Sequence, residues 1–396
     1  MNQRPRVLLL IPHLGGGGAE RVVALLAGNL SPEKYELHLG LVTQAAVPAG
    51  AVPAGVTVHA LGAARVRSAP GRLLALVRRL KPRVILSGMY HLNFLVLLLR
   101  PFFPSPVCAL ARQNGTVSAA LANERNRAFT RLLYRILYRF ADRVICQSAA
   151  MAADLMQEIG MPENRLAVLP NPVDVDTIRG EVAGFPVRWT GAGPHLLAVG
   201  RLSREKGFDL LLRALADVHE KFPRADLVIA GSGPEEDALK VLCRSLRLEG
   251  AVEFAGHVEQ PAEWFPGATL FVLSSRHEGM PNGLLEAAAA GLPLVATPAA
   301  GGVPELLRGQ AGKWLAAEVS ADALAACLVQ ALASLRPGER FPHPFIEAFR
   351  VERAVAAYEE LIDAALQPAG MLRANIRGSA GRDTSMHDSA TGERPL

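Results

Sequence analysis

Cysteine is scarce and scattered in this 396-residue chain: Cys108, Cys146, Cys243 and Cys327 share no C-x2-C spacing. That excludes a zinc ribbon or a disulfide framework and reads as buried thiols in a reducing compartment. Long apolar runs are missing as well. The longest, Phe94 to Leu99, ends at Arg100-Pro101 and is far too short to span a bilayer. No basic segment, apolar core and small-residue cleavage site precede the first strand-like run at 6–11, so no signal peptide is expected and the chain is placed in the cytoplasm. There is no G-x-G-x-x-G fingerprint. The D-x-D-like pair Asp174-Val-Asp176 sits in a linker and not at a strand end, so neither a catalytic metal nor a cofactor is expected. No nucleic-acid recognition fold accompanies the basic charge, which argues against nucleic acid as a partner.

Half of the residues are hydrophobic, ample for buried sheets, and the length favours two domains over one core. The net charge of +5 conceals an asymmetry. Residues 1–180 carry 21 Lys and Arg against 10 Asp and Glu, or +11; the remainder carries 21 against 27, or −6. A basic first half fits either an anionic partner or arginines that merely solubilise an apolar domain.

Apolar strand-like runs alternate with helical ones, which predicts parallel sheets covered on both faces. Strands are expected near 6–11, 36–42, 83–87, 106–111, 143–147 and 166–169, with helices near 19–30, 71–80, 91–100, 119–140 and 148–159. A linker is expected at 175–194. A second series follows, with strands near 195–200, 225–230, 251–255, 269–273 and 293–296 and helices near 206–221, 235–247, 282–290 and 320–334. The plain inference is an α/β protein of two doubly wound Rossmann-like domains, 1–178 and 195–343, facing across a cleft. A last helix is expected over 344–367, with Phe349, Val355, Tyr358 and Leu361 on its apolar face. Residues 370–396 have no apolar periodicity and are expected to be disordered.

The most informative stretch is Glu278-Gly279-Met280-Pro281-Asn282-Gly283-Leu284-Leu285-Glu286. A strand-like run precedes it and an alanine-rich helix stopped by Gly291 follows. Strand, loop and helix N-terminus is where a phosphorylated ligand docks in such a sheet, because the first backbone N–H groups are unpaired. A carboxylate one turn into the helix can accept both hydroxyls of a ribose, and the first carboxylate can reach a sugar. The bland alternative is acidic residues stabilising a helix start. Gly15-Gly16-Gly17-Gly18 opens the first helix and could admit a ligand close to the backbone, or simply turn. Arg201 and Lys206, five apart on another strand-to-helix turn, could neutralise a departing diphosphate or could be surface cations. Gly231-Ser-Gly-Pro234 and Gly256-His257-Val258 end two further strands.

These motifs closely resemble those of the GT-B glycosyltransferases, in particular the large retaining family 4. The likeness runs to about residue 366 and is strongest from 199 to 306. It rests on the E-x7-E pair with Pro281-Asn282-Gly283, the G-G-A-E-R-like segment ending at Arg21, the G-R-L-x-x-x-K-G-like segment 200–207, the G-x-G-P turn and the glycine turn 299–305. It implies a GT-B fold whose last helix crosses back to the first domain. Glu286 would hold the donor ribose, and Glu278 would contact the transferred sugar. Arg201 and Lys206 would bind the diphosphate, and Gly16 and Gly17 would face it across the cleft. Gly231, His257 and Val258 would line the nucleotide pocket. The implied activity is metal-independent retaining transfer of a sugar from a nucleoside-diphosphate donor, UDP being favoured, to an acceptor hydroxyl. An epimerase or phosphorylase on the same fold, or an inactive nucleotide-sugar-binding protein, are the alternatives.

One departure concerns the acceptor side. Where many members have a histidine after the fifth strand, this chain reads Ala111-Arg112-Gln113-Asn114. Arg112 or Asn114 could substitute, and His91 could line the same side or pack locally. Residues 123–143 interleave Arg125, Arg127, Arg131, Arg135, Arg139 and Arg143 with eight large apolar or aromatic side chains. That is the composition of a helix lying on an anionic membrane, suited to a lipid-linked or other glycan acceptor at its inner face. It is equally that of a core helix with a solvated arginine face.

Overall fold

A computed structural model of the chain describes residues 4–15, 17–43, 52, 54–104, 106–122, 124–309 and 311–367. Gly16 and the 370–396 segment lie outside the described residues. In the first half, β1 (Arg6–Ile11), β2 (Glu36–Thr43), β3 (Thr57–Ala63), β4 (Val84–Gly88), β5 (Cys108–Arg112), β6 (Arg143–Cys146) and β7 (Leu166–Val168) form one sheet. It is parallel throughout, in the order β3-β2-β1-β4-β5-β6-β7. Helices α1 (Gly18–Asn29), α2 (Pro70–Leu80), α3 (Tyr90–Leu99), α4 (Val117–Ala122), α5 (Arg127–Leu137) and α6 (Ala149–Ile159) cover it. The inner strands read as unbroken apolar runs because both their faces are covered; Val7 through Ile11 are fully buried.

The second half opens with α7 (Val175–Gly184), followed by β8 (His195–Val199), α8 (Phe208–Val218), β9 (Asp226–Ala230), α9 (Glu236–Ser245) and β10 (Val252–Gly256). Next come β11 (Leu270–Leu273), α10 (Asn282–Ala289), β12 (Leu294–Ala296), α11 (Val303–Leu307), β13 (Lys313–Leu315), α12 (Ala321–Ser334) and α13 (Val351–Leu366). Its sheet is parallel in the order β10-β9-β8-β11-β12-β13. These are the two doubly wound domains the alternation predicts.

Several elements differ from expectation. The 175–194 stretch is not all linker. Asp174 caps α7 by accepting from the Thr177 N–H at 3.1 Å, and Val173, Val175 and Ile178 pack in the second core. The first sheet ends at Val168, before these residues. Strand β3 escaped notice because it is an edge strand with exposed Val58 and a weak alternation. Strand β13 and helix α11 are too short, at 3 and 5 residues, to leave a period. The 119–140 helix is two helices.

The last helix crosses back. Val351, Val355, Tyr358, Leu361 and Ile362 sit in one core with Val7 and Leu9 of β1 and Val22 and Leu26 of α1. Glu359 accepts from the Ser31 N–H at 2.8 Å and from Lys34 at 2.5 Å. Its approach, by contrast, is anchored on the other side, since Ile346 and Phe349 pack in the second core.

Sequential order reverses between β1 and β4 in the first sheet and between β8 and β11 in the second. Ligands bind doubly wound sheets in the crevice outside the carboxyl ends of the strands at such reversals. The loops leaving β1, β8 and β11 are the glycine run, the Arg201–Lys206 turn and the Glu278 loop. Met89, after β4, holds a φ of 73°, unusual for a side-chain-bearing residue. Truncating Ile362 to Ala is expected to lower stability by about 2–5 kcal/mol. Urea unfolding would detect it, and a neutral result would mean that α13 does not complete the first core.

Candidate active site

The β11–α10 loop is shaped by its neighbours. Its Glu278 N–H donates to the Ala300 carbonyl at 2.8 Å, and the Gly302 N–H donates to Gly279 at 2.9 Å. Gly301 is required here: with φ at 119°, a Cβ would lie 1.8 Å from the Glu278 carbonyl oxygen. Glu278 is thereby presented with its side chain only 8% exposed, accepting from Lys206 Nζ at 2.6 Å and from Ser275 Oγ at 2.6 Å. Gly207, at φ 64°, follows Lys206 and packs where a Cβ would meet the Ser274 carbonyl at 2.1 Å. The first carboxylate and the second cation of the sequence motifs are therefore one ion pair. Arg201 stands apart from it, exposed and with no ion-pair partner among the described residues.

Helix α10 starts on Pro281 with no side-chain cap. Its first N–H groups are left for other acceptors, and its dipole favours negative charge there. Asn282 and Glu286, four apart, share one face, and that face meets α1. Asn282 Nδ2 donates to the Gly18 carbonyl at 2.8 Å, and Arg21 Nη1 reaches Glu286 Oε1 at 3.1 Å. Helix α1 likewise begins on Gly17 without a side-chain cap. Two uncapped helix N-termini thus meet across the cleft. The fourth glycine of the run makes the contact, one or two positions beyond the expected Gly16 and Gly17. Gly17 is the residue on which α1 begins, and the Glu20 carboxylate lies beside it, 2.3 Å from where a Cβ would stand.

Burial raises the Glu286 carboxyl above its ordinary pKa of 4.5, and Arg21 opposes the rise. The group is 14% exposed. Arg21 occupies one carboxylate oxygen, which leaves lone pairs on the other for hydroxyl donors.

Arg112 does not face the cleft. It is 2% exposed, and its guanidinium donates to Tyr358 Oη at 3.1 Å, to Asn171 Oδ1 at 2.6 Å and to Asn114 Oδ1. Its three bonds tie α13 to the loop after β7, a structural use that replaces the expected acceptor-side one. Asn171 passes the connection on, donating to Asn282 Oδ1 at 2.7 Å. Every polarity in this chain is forced, because a guanidinium can only donate and the Gly18 carbonyl at the far end can only accept. Asn114 stays at the cleft. Its carbonyl approaches Gly279, where a Cβ would lie 2.4 Å away, and its buried Nδ2 has no partner among the described residues. His91 is exposed on the first turn of α3, edge-on to Tyr90.

Gly231 belongs to the turn beside β8: a Cβ there would lie 1.8 Å from the Gly200 carbonyl oxygen. His257 is exposed, and Val258 packs on the second core. Met280, Gly283 and Leu284 stay within the loop and helix, and the Leu284 side chain is fully buried in the packing of α10. Asp174 and Asp176 are engaged elsewhere, in the α7 cap and in an ion pair with Arg350 at 2.7 Å. Ser275 and Asn171 were not singled out from the sequence, and Gly18 and Arg21 entered only as parts of the G-G-A-E-R-like segment. Each matters through a contact with a distant segment, which no local pattern encodes.

A two-domain α/β protein with its donor-type motifs gathered at two facing switch points is a GT-B architecture. The model for Glycosyltransferase Family 4 matches residues 16–177, and that for glycosyl transferases group 1 matches residues 193–334. The chain belongs to these glycosyltransferases. An uncharacterized glycosyltransferase of Methanocaldococcus jannaschii is 28% identical over 181 residues, 44% of either chain, so the match spans under half of that relative. A Campylobacter jejuni N-acetylgalactosamine-N,N'-diacetylbacillosaminyl-diphospho-undecaprenol 4-alpha-N-acetylgalactosaminyltransferase is 28% identical over 75% of this chain and 82% of its own. Anabaena HepE in complex with UDP and glucose shares the fold, with a TM-score of 0.72 and 20% identity over 91% of this chain and 100% of that one.

The raised pKa of Glu286 gives a signed expectation. A carboxyl that titrates higher when folded weakens the fold wherever it is ionised. The penalty is complete above the raised native value and disappears as pH falls through the window down to about 4.5. Glu286→Gln should therefore melt higher than wild type at neutral pH, with the difference vanishing below that window. A Gln variant melting lower at pH 7 would contradict it. Asn171→Asp keeps an acceptor for Arg112 but loses the N–H that reaches Asn282. It should keep its melting temperature while weakening nucleotide binding up to roughly tenfold, the worth of one hydrogen bond. Isothermal titration with whichever of UDP, GDP and ADP binds wild type reads this out, and unchanged affinity would discount the connection.

Proposed function

We propose that the chain is a retaining, metal-independent glycosyltransferase moving a sugar from a nucleoside-diphosphate sugar to an acceptor hydroxyl. The observation that carries this reading is the meeting of two uncapped helix N-termini beside the Lys206–Glu278 pair and Glu286, with Arg201 unpaired on the loop leaving β8. Such a place suits a diphosphate flanked by two hydroxylated sugars. UDP is the favoured nucleotide, supported by the UDP bound to the Anabaena protein.

The pairing of Lys206 with Glu278 fits the chemistry. As the bond between sugar C1 and the diphosphate oxygen breaks, its electrons go to the diphosphate and positive charge grows on the sugar. The cation and the carboxylate that answer these charges must be adjacent, because the reacting atoms are bonded to each other. Here they are 2.6 Å apart. Arg201, Lys206 and the α10 N–H groups take the leaving diphosphate, so the charge otherwise answered by a resident metal or cofactor is met by side chains. Glu278 steadies the sugar, and Glu286 anchors the ribose. The acceptor oxygen then bonds to C1 from the face the diphosphate leaves, and its proton passes to a diphosphate oxygen, which preserves the α-configuration.

For the acceptor we propose a glycan or lipid-linked sugar of the cell envelope, handled at the inner face of the membrane. The undecaprenol-linked substrate named for the Campylobacter relative supports it. No helix among the described residues is long and apolar enough to cross a membrane, so contact would be peripheral, through 123–143.

Thermal shifts with UDP, GDP and ADP test the donor reading. The correct nucleotide at about a hundred times its dissociation constant should stabilise wild type by about 2.7 kcal/mol and leave Glu286→Ala unmoved. Absence of any shift would sink it. With a donor in hand, Lys206→Ala should lower kcat roughly 100- to 1000-fold. A β-linked product by proton NMR would overturn retention.

A further inference from the structure

Helix α5 and the short 3-10 turn that continues it, Tyr138–Phe140, divide their surface into three sectors. At about 100° per residue, Thr130, Tyr134 and Leu137 turn inward and are buried. Arg131, Arg135 and Arg139 form a second stripe. Phe129, Leu132, Ile136 and Phe140 form the third, and they are 55, 51, 47 and 42% exposed. A solvated helix carries polar residues in such a sector. The apolar surface continues at the end of α3, where Leu98 and Phe102 are 57 and 61% exposed. Arg100 between them donates to the Phe140 carbonyl, so the two segments adjoin. Arg143, by contrast, is buried at the start of β6 and takes no part in this face.

Beside the arginine stripe is a pocket of about 350 Å³ lined by Arg135, Arg139 and Arg165 with Tyr138, Gly160 and Met161. The neighbouring cations are already answered: Arg131 pairs with Glu158 at 2.7 Å and Arg100 with Asp142 at 2.6 Å. Arg135, Arg139 and Arg165 pair with no carboxylate among the described residues. Arg165 instead donates to the Arg139 carbonyl at 2.7 Å, which holds the pocket wall together. Three uncompensated guanidiniums around a concavity attract an anion, and the apolar stripe alongside calls for a non-aqueous phase.

We infer that this face docks on an anionic lipid bilayer, with the arginine pocket seating the phosphate of a lipid headgroup and the Phe129–Phe140 stripe entering the acyl boundary. The two demands meet in one place only at a membrane surface. The site deepens the acceptor reading given above, to which it adds a specific lipid contact. It does not depend on turnover, so its failure would leave the donor chemistry standing, and failure of the donor chemistry would leave it standing.

The test is co-sedimentation of the whole protein with vesicles of phosphatidylcholine alone and of phosphatidylcholine mixed with phosphatidylglycerol. Wild type should pellet with the mixed vesicles, less so as salt rises, and stay in solution with the neutral ones. Arg135→Gln with Arg139→Gln should lower partitioning roughly thirtyfold, at about fivefold per basic residue lost. Phe129→Ser with Ile136→Ser should lower it at every salt concentration. All four side chains are exposed, and an unchanged melting temperature will confirm that the variants fold. Equal pelleting with both vesicle types, or variants that pellet like wild type, overturns the inference. So does a pocket that binds glycerol phosphate in solution while the protein ignores vesicles, which would make it a small-anion site. A wild-type dimer dissolved by Phe129→Ser, with no vesicle binding, would mean that a second copy covers the stripe, and would also overturn it.

Discussion

Two helix N-termini meeting across a cleft is an arrangement that only negative charge or well-placed acceptors can make comfortable. Here α10 and α1 meet through Asn282 on Gly18 and Glu286 on Arg21, and much else follows from that contact. It explains why a carboxylate is kept in a place where burial pushes its pKa up. It explains why Gly18 cannot easily carry a side chain, since a Cβ would sit 2.9 Å from Asn282 Nδ2. It also sets the spacing of the domains, because the same loop brings Gly279 against the Asn114 carbonyl.

The hydrogen-bonded run from Tyr358 through Arg112, Asn171 and Asn282 to Gly18 gives this contact its geometry. It links the crossover helix, the first sheet, the interdomain passage and both helix starts. Arginine is suited to the centre of such a run, because its planar fork donates in three directions at once and remains charged when buried. A histidine in that position could not hold three oxygen acceptors. The absence of the usual acceptor-side histidine thus has a structural counterpart: the position has been given to interdomain architecture, and the polar group left at the cleft is the amide of Asn114.

Much of this was legible in the sequence, and what was legible shares one property. Buried parallel strands are continuous apolar runs, so β1, β4, β8 and β11 could be read directly, and with them the loops that must lie at the carboxyl edge. Glu278, Glu286, Arg201 and Lys206 fell out of those loops. The unreadable parts depend on partners far away in the chain. Asn171 sits between two prolines and reads as a turn, Arg21 only as the end of a motif and Arg112 as a candidate acceptor-side group. Helix α7 was hidden by Gly180 and Gly184, although Val175, Ile178 and Val182 keep a helical period that the second core recognises.

The distribution of charge differs between the cleft and the outer face of the first domain. The excess of cations in residues 1–180 could have been spread as solubilising surface, yet α5 and the turn after it concentrate three of them on one stripe and leave two beside Arg165 with no carboxylate among the described residues to answer them. In the cleft, by contrast, nearly every charge has a counterpart: Lys206 with Glu278, and Arg21 with Glu286. A pre-neutralised cleft is what a site needs when its ligand brings both a negative diphosphate and neutral sugars, because each hydroxyl must find a lone pair that is already held in place. An un-neutralised outer face has no such role inside the protein. The same side-chain chemistry therefore separates into an inner set that, Arg201 apart, is paired and oriented and an outer set that is open to a partner outside the chain.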